Sequence, residues 1–209
     1  MVNVIASGSK GNCVVLFDSI LVDIGVAYKL IKPYTMQIKI VTWSHKHSDH
    51  LNKSTLKKIL FERPSIRVAV CEHEYNNAVE CGAKNIDILE HGKWYDYGIY
   101  QIATFKTYHD VESNGWRFQN ANHKIFFVTD TAHLKGISAK NYTHYLIEHN
   151  YPEEETKALI QRKMQAGEFC HQIGSINSHL SVEQAQEFYL ANKGEHSQLI
   201  RLHETKTIY

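Results

Sequence analysis

His45-Lys46-His47-Ser48-Asp49-His50 decides how this sequence is read. Four groups able to bind a metal ion fall within six residues, directly after residues 38–43, a β-branched apolar run that reads as a buried strand. In extended chain, residues two apart point the same way, so His45 and His47 can converge on one ion. Asp49 and His50 lie one turn further and can take a second. Lys46 and Ser48 alternate with the donors and point away. Imidazole with carboxylate suits zinc, manganese, iron or nickel and needs no thiolate. Two such ions about 3.5–4 Å apart can share one hydroxide and clamp both oxygens of a displacement reaction.

The rest of the composition narrows the setting. With 209 residues, 43% of them hydrophobic and 22% charged, the chain reads as one globular domain, 1–209, with a sizeable core. Lys and Arg total 23 against 22 Asp and Glu, which excludes attachment to nucleic acid by bulk charge, leaves room for a local basic groove, and favours a small or short substrate. The four cysteines lie far apart with no C-x-x-C pair, as expected of reduced thiols in a cytoplasm. No apolar run is long enough for a membrane span, and the opening Met-Val-Asn-Val-Ile-Ala has no charged segment of a signal peptide, so a cytoplasmic location is expected. A homodimer is expected only as the commonest assembly. Histidine, with 14 copies, is the one anomaly.

Along the chain, strands are predicted at 2–6, 13–17, 21–24, 38–43, 66–71, 100–107, 116–118, 125–128, 145–147 and 198–202. The 116–118 and 125–128 strands read as a hairpin around Asn120–Asn122. Helices are predicted at 53–61, 74–81 with Gly82 behind it, 153–168, and 181–191 with Ser181 as its N-cap. No internal repeat is visible. The class is α/β with mixed sheets, and the polar clusters fall at strand ends. Residues 7–12 are a polar turn whose backbone N–H groups could hold phosphate. His73, His91, His123, His133, His144, His171 and His196 have no spacing that groups them, though His133, three residues past Asp130, can border the site.

The order H-x-H-x-D-H, borne by His45, His47, Asp49 and His50, resembles the metallo-β-lactamase-fold hydrolase superfamily. That resemblance extends over nearly the whole chain. His109, at a strand end, resembles the third histidine of the first metal site. Asp130, in Phe-Phe-Val-Thr-Asp-Thr, resembles the aspartate that bridges the metals. His203 resembles the histidine that completes the second site. What this implies is an αββα four-layer sandwich, two mixed β-sheets flanked by helices, with two divalent ions, zinc foremost, at one edge of the sheets.

A narrower resemblance is to the WalJ-type branch, akin to ribonuclease Z and phosphodiesterase relatives. It rests on Ala6-Ser7-Gly8-Ser9-Lys10-Gly11-Asn12, on Glu148-His149-Asn150 and on His179-Leu180-Ser181. It implies a phosphodiesterase in which Asp49 serves the metals, His179 is a general acid and Glu148 its orienter. Whether Glu148 or His149 faces the site stays open, because neighbours in a strand point to opposite faces. Tyr151, Ser178 and Glu204-Thr205 depart from the branch's pattern and put the substrate in question. The expected activity is phosphodiester cleavage by a metal-bridging hydroxide, on a cyclic nucleotide or short nucleic acid. The alternatives are hydrolysis of a thioester, lactone or β-lactam, and a non-catalytic metal-binding role.

Overall fold

A computed structural model describes residues 1–170 and 172–203; His171 and Glu204-Thr205 lie outside the described residues. The chain divides into two compact units, Met1–Tyr95 and the part from Asp96 onward. In the first, β1 (Val2–Ala6), β2 (Cys13–Leu16), β3 (Ile20–Val22), β4 (Ile40–Thr42), β5 (Arg67–Val70) and β6 (Asn85–Ile88) form one sheet in chain order. The first three strands pair antiparallel and β3 to β6 pair parallel. Its helices are α1 (Tyr28–Ile31), α2 (Lys53–Glu62) and α3 (Tyr75–Glu80).

The second sheet also runs in chain order, from β7 (Trp94–Asp96), at the boundary, through β8 (Gln101–Lys106), β9 (Asn114–Gln119), β10 (Lys124–Val128), β11 (His144–Glu148) and β12 (Gln198–Leu202). β8 to β10 pair antiparallel, and β10 to β12 pair parallel. Its helices are α4 (Glu153–Gln165), α5 (Gln172–Ser178) and α6 (Val182–Asn192). The architecture is α/β with two mixed sheets flanked by helices. No helix of the described residues is long and apolar enough to cross a membrane.

Each unit has its own apolar core, because the strands are buried on one or both faces. Val15, Leu21, Val41, Trp43, Leu56, Ile59 and Val68 centre the first. Phe105, Phe126, Val128, Tyr145, Ile147 and Leu180 centre the second, with Phe105 and Phe126 stacked at 5.0 Å.

The structure corrects several sequence boundaries. The strand expected at 21–24 stops at Val22, because Asp23 turns left-handed (φ 56°). The helix expected at 153–168 stops at Gln165, and α5 follows as a separate helix that the sequence pattern misses. β6, β7 and α1 were also not foreseen, being short and only weakly patterned. The hairpin at Asn120–Asn122 forms as expected, Asn120 Oδ1 accepting from the backbone of Asn122 and His123. Ser181 caps α6 in a reciprocal box with Gln184.

Candidate functional site

In the first unit four predicted donors share one short loop. β4 delivers the chain through buried Trp43, whose indole donates to the buried Glu74 carboxylate at 2.6 Å. His45 and His50 are fully buried, His47 and Asp49 half-buried, and Lys46 and Ser48 exposed. The loop closes as a turn, with the His50 and Leu51 amides donating to the His47 carbonyl. Asn52 then caps α2 by accepting from the Thr55 amide.

Glycine fixes where this loop lies. A Cβ on Gly25 would stand 1.6 Å from the Asp49 carbonyl oxygen, so only glycine lets the segment after β3 pass there. A Cβ on Gly11 would stand 2.4 Å from the Gly25 carbonyl. Across these contacts the Ile24 amide donates to His50 O, the Asn12 amide to Asp49 O and the Gly25 amide to Asn12 O.

The side chains set the imidazole tautomers. His50 Nδ1 donates to Asp23 Oδ2 at 2.8 Å. Ser44 Oγ donates to Asp23 Oδ1, and so accepts from His45 Nδ1 at 3.0 Å. Both rings thereby keep their Nε2 lone pairs, the form a metal ligand needs. His45 Nε2 lies 3.1 Å from His47 Nδ1. His50 Nε2 lies 3.5 Å from Asp49 Oδ2 and 3.0 Å from the Asn12 side-chain nitrogen. Donor atoms bound to one zinc at about 2.0–2.2 Å stand about 3 Å or slightly more apart, so these spacings fit the ion. Burial, then the Asp23 charge, pushes the neighbouring Cys13 thiol well above its usual range.

In the second unit the donors come from separate strand ends. Parallel register does the gathering: Val128 pairs with Ile147 and Glu148 with Leu202, so the residues just past β10 and β12 emerge beside the end of β11. Asp130 and His203 are both left-handed (φ 45° and 49°), an uncommon conformation for residues other than glycine and one that clusters at functional sites. Asp130 Oδ2 lies 3.7 Å from His109 Nε2, and its Oδ1 lies 3.9 Å from His203 Nε2. One carboxylate thus offers an oxygen toward each of two imidazoles. His109 Nδ1 donates to the Ser178 carbonyl at 2.9 Å, which leaves its Nε2 as a donor atom; Asp110 Oδ1 also approaches that nitrogen, at 3.0 Å. The Asn150 side-chain nitrogen lies 2.8 Å from His203 Nδ1 and holds that ring in place.

Glu148 is fully buried and faces this cluster. Its Oε1 accepts from the Thr131 and Leu180 amides at 2.7 and 3.1 Å, and its Oε2 meets His179 Nδ1 at 2.9 Å. His149 lies on the other face, with Nδ1 on the Ile147 carbonyl, which answers the question the sequence left open. The His179 side chain is 17% exposed and its ring stacks on His203 at 5.3 Å. Asp130, Glu148, His179 and His203 each offer an atom within 4.8 Å of the others and could hold a metal ion.

Sequence reasoning missed Asp23 and the amides of Asn12 and Asn150. A polar residue closing the apolar run Ile20-Leu21-Val22, two before a glycine, was the available signal for Asp23.

A family model described as the beta-lactamase superfamily domain matches residues 10–145. The chain belongs to that superfamily. By sequence, no curated protein matches it. Among solved structures, the metallo-beta-lactamase fold protein YhfI from Bacillus subtilis superposes with a TM-score of 0.74 at 17% identity, covering 97% of this chain and 85% of that one. Human tRNase Z, short form, gives 0.68 at 13%, covering 97% and 92%. A diphosphatase of the PhnP family gives 0.65 at 10%, covering 97% and 86%. These likenesses establish the metallo-β-lactamase fold. Membership makes the chain part of a metal-dependent hydrolase superfamily, and its His/Asp clusters are of the kind that could hold the metal.

Proposed function

We propose that the protein is a dinuclear metal-dependent phosphodiesterase, its two units working as one hydrolase domain over 1–209. The observation that carries this reading is the His179–Glu148 pair at 2.9 Å, set against the carboxylate of Asp130. His45, His47, Asp49, His50, His109, Asp130 and His203 are the proposed ligands, and the donor set favours zinc, with manganese, iron or nickel as substitutes. Bound metals would supply an activated water and charge stabilisation at the phosphoryl oxygens.

The chain's own residues do the rest. Glu148, locked by two backbone amides, holds His179 through Nδ1 and so turns Nε2 outward. A protonated His179 can then donate from Nε2 to the departing oxygen, the step that a phosphodiester needs because it expels an alkoxide. An acyl substrate such as a β-lactam has less use for that dyad. The tRNase Z likeness favours the same substrate class and the diphosphatase likeness favours phosphoryl chemistry more broadly, and the near-zero net charge favours a cyclic nucleotide or a short strand.

The test is hydrolysis of bis(p-nitrophenyl) phosphate by zinc- and manganese-loaded protein, beside a thioester and a lactone. Turnover of the phosphodiester that is lost in Asp49→Ala is expected. Turnover of only the acyl substrates, or none from protein holding two metals, would overturn the reading.

A further inference from the structure

Nothing in the sequence distinguishes one of the 12 tyrosines, yet the fold places Tyr108 apart from the rest. Tyr108 directly precedes His109 and is 45% exposed. One face of its ring lies on His133, with centroids 4.2 Å apart and planes at 37°. The backbone beneath the pair is tied in both directions. Thr131 Oγ1 accepts from the Tyr108 amide at 3.0 Å and donates to the His133 carbonyl at 3.1 Å. The Ala132 amide donates to the Tyr108 carbonyl at 2.7 Å.

Neither ring is held by polar contacts. The buried Nδ1 of His133 has no hydrogen-bond partner among the described residues, and its ring rests against Tyr108 in a tilted contact. Tyr108 Oη likewise makes no hydrogen bond among the described residues. Tyr108 is one residue from His109, and His133 three from Asp130, so chain length alone keeps their Cα atoms within about 11 Å of the Cα atoms of those residues. A residue serving only the core would bury its ring, whereas this one rests against His133 and is nearly half exposed.

A rigid π-face of that kind suits a nucleobase, since every base can stack and stacking asks for no particular hydrogen-bond pattern. We infer that Tyr108, backed by His133, is the stacking platform for the base of a nucleotide phosphodiester. This rests on the phosphodiesterase reading and sharpens it by naming the substrate class.

Two measurements separate the inference from that reading. The first compares hydrolysis of the p-nitrophenyl ester of thymidine 5′-monophosphate with methyl p-nitrophenyl phosphate, which has the same leaving group and no base. The preference for the nucleoside ester, as a ratio of kcat/KM, should fall about ten-fold or more in Tyr108→Ala and be kept in Tyr108→Phe. Tyr108→Leu, which preserves apolar bulk, should lose it as alanine does and serves where alanine fails to fold. The second measurement is calorimetric binding of thymidine 5′-monophosphate and of methyl phosphate to zinc-loaded protein. Wild type should bind the nucleotide about ten-fold tighter, and the leucine variant should close that gap. Binding that follows this pattern in a protein without turnover upholds the platform and removes the phosphodiesterase reading. No preference in wild type, or a preference that survives in both the alanine and leucine variants, overturns the platform.

Discussion

In both sheets the strand at which pairing changes from antiparallel to parallel is followed within two residues by an aspartate with left-handed backbone: Asp23 after β3 and Asp130 after β10. The surroundings of the two carboxylates differ. Asp23 spends both oxygens inside the protein, on His50, on Ser44 Oγ and on the Ser44 amide. Asp130 turns its oxygens toward three imidazoles, those of His109, His179 and His203. One backbone device therefore orients a proposed ligand in the first unit and carries a proposed ligand in the second. The first unit fixes its donors by backbone packed against backbone at Gly11 and Gly25, the second by strand register.

The largest expected effect tests the two aspartates against each other. Asp130→Asn should lower phosphodiester turnover on the order of 10³-fold and reduce the bound metal measured by elemental analysis. Asp23→Asn should instead weaken metal affinity by about 10–100-fold and regain activity as metal is added. Identical behaviour of the two variants would erase the distinction.

Next in size is the dyad of the second unit. His179→Ala should cut kcat by about 10²–10⁴-fold on an alkyl leaving group, with metal content unchanged. The loss should be much smaller with p-nitrophenoxide, which departs without a proton. Equal losses on both leaving groups would make His179 a structural residue.

Gly25→Ala and Gly115→Ala form the third pair. A Cβ on Gly115 would meet the Phe105 ring at 2.2 Å, a cost in core packing, whereas Gly25 abuts the Asp49 backbone. Each should lose about 1–3 kcal/mol of stability in urea titrations. Only Gly25→Ala should also weaken zinc binding. The smallest effect concerns Cys13, fully buried with its thiol pushed up by burial and by Asp23. Iodoacetamide should modify it at a measurable rate only in unfolded protein, as read by mass spectrometry.

The first unit's donors were legible because they are contiguous: spacing alone set His45, His47, Asp49 and His50 together. The second unit's donors span residues 109–203, and nothing local connects them. His109, Asp130 and His203 could be named only through resemblance and strand-end position. The face of Glu148 could not be read at all, since it depends on which side of β11 packs on Leu180. The repeated switch from antiparallel to parallel pairing left no repeat in the sequence, because pairing direction is set by connections and not by residue identity. Asp23 escaped notice for a related reason, as its partner His50 lies 27 positions away.

The division at Tyr95 also orders events in time. At about 5–20 residues per second, synthesis of the roughly 110 residues from Tyr95 to His203 occupies about 5–20 s. The His45–His50 loop is therefore synthesised several seconds before β12. A ribosome stalled in that interval would hold a chain with four of the seven proposed ligands, His45, His47, Asp49 and His50, and without His203.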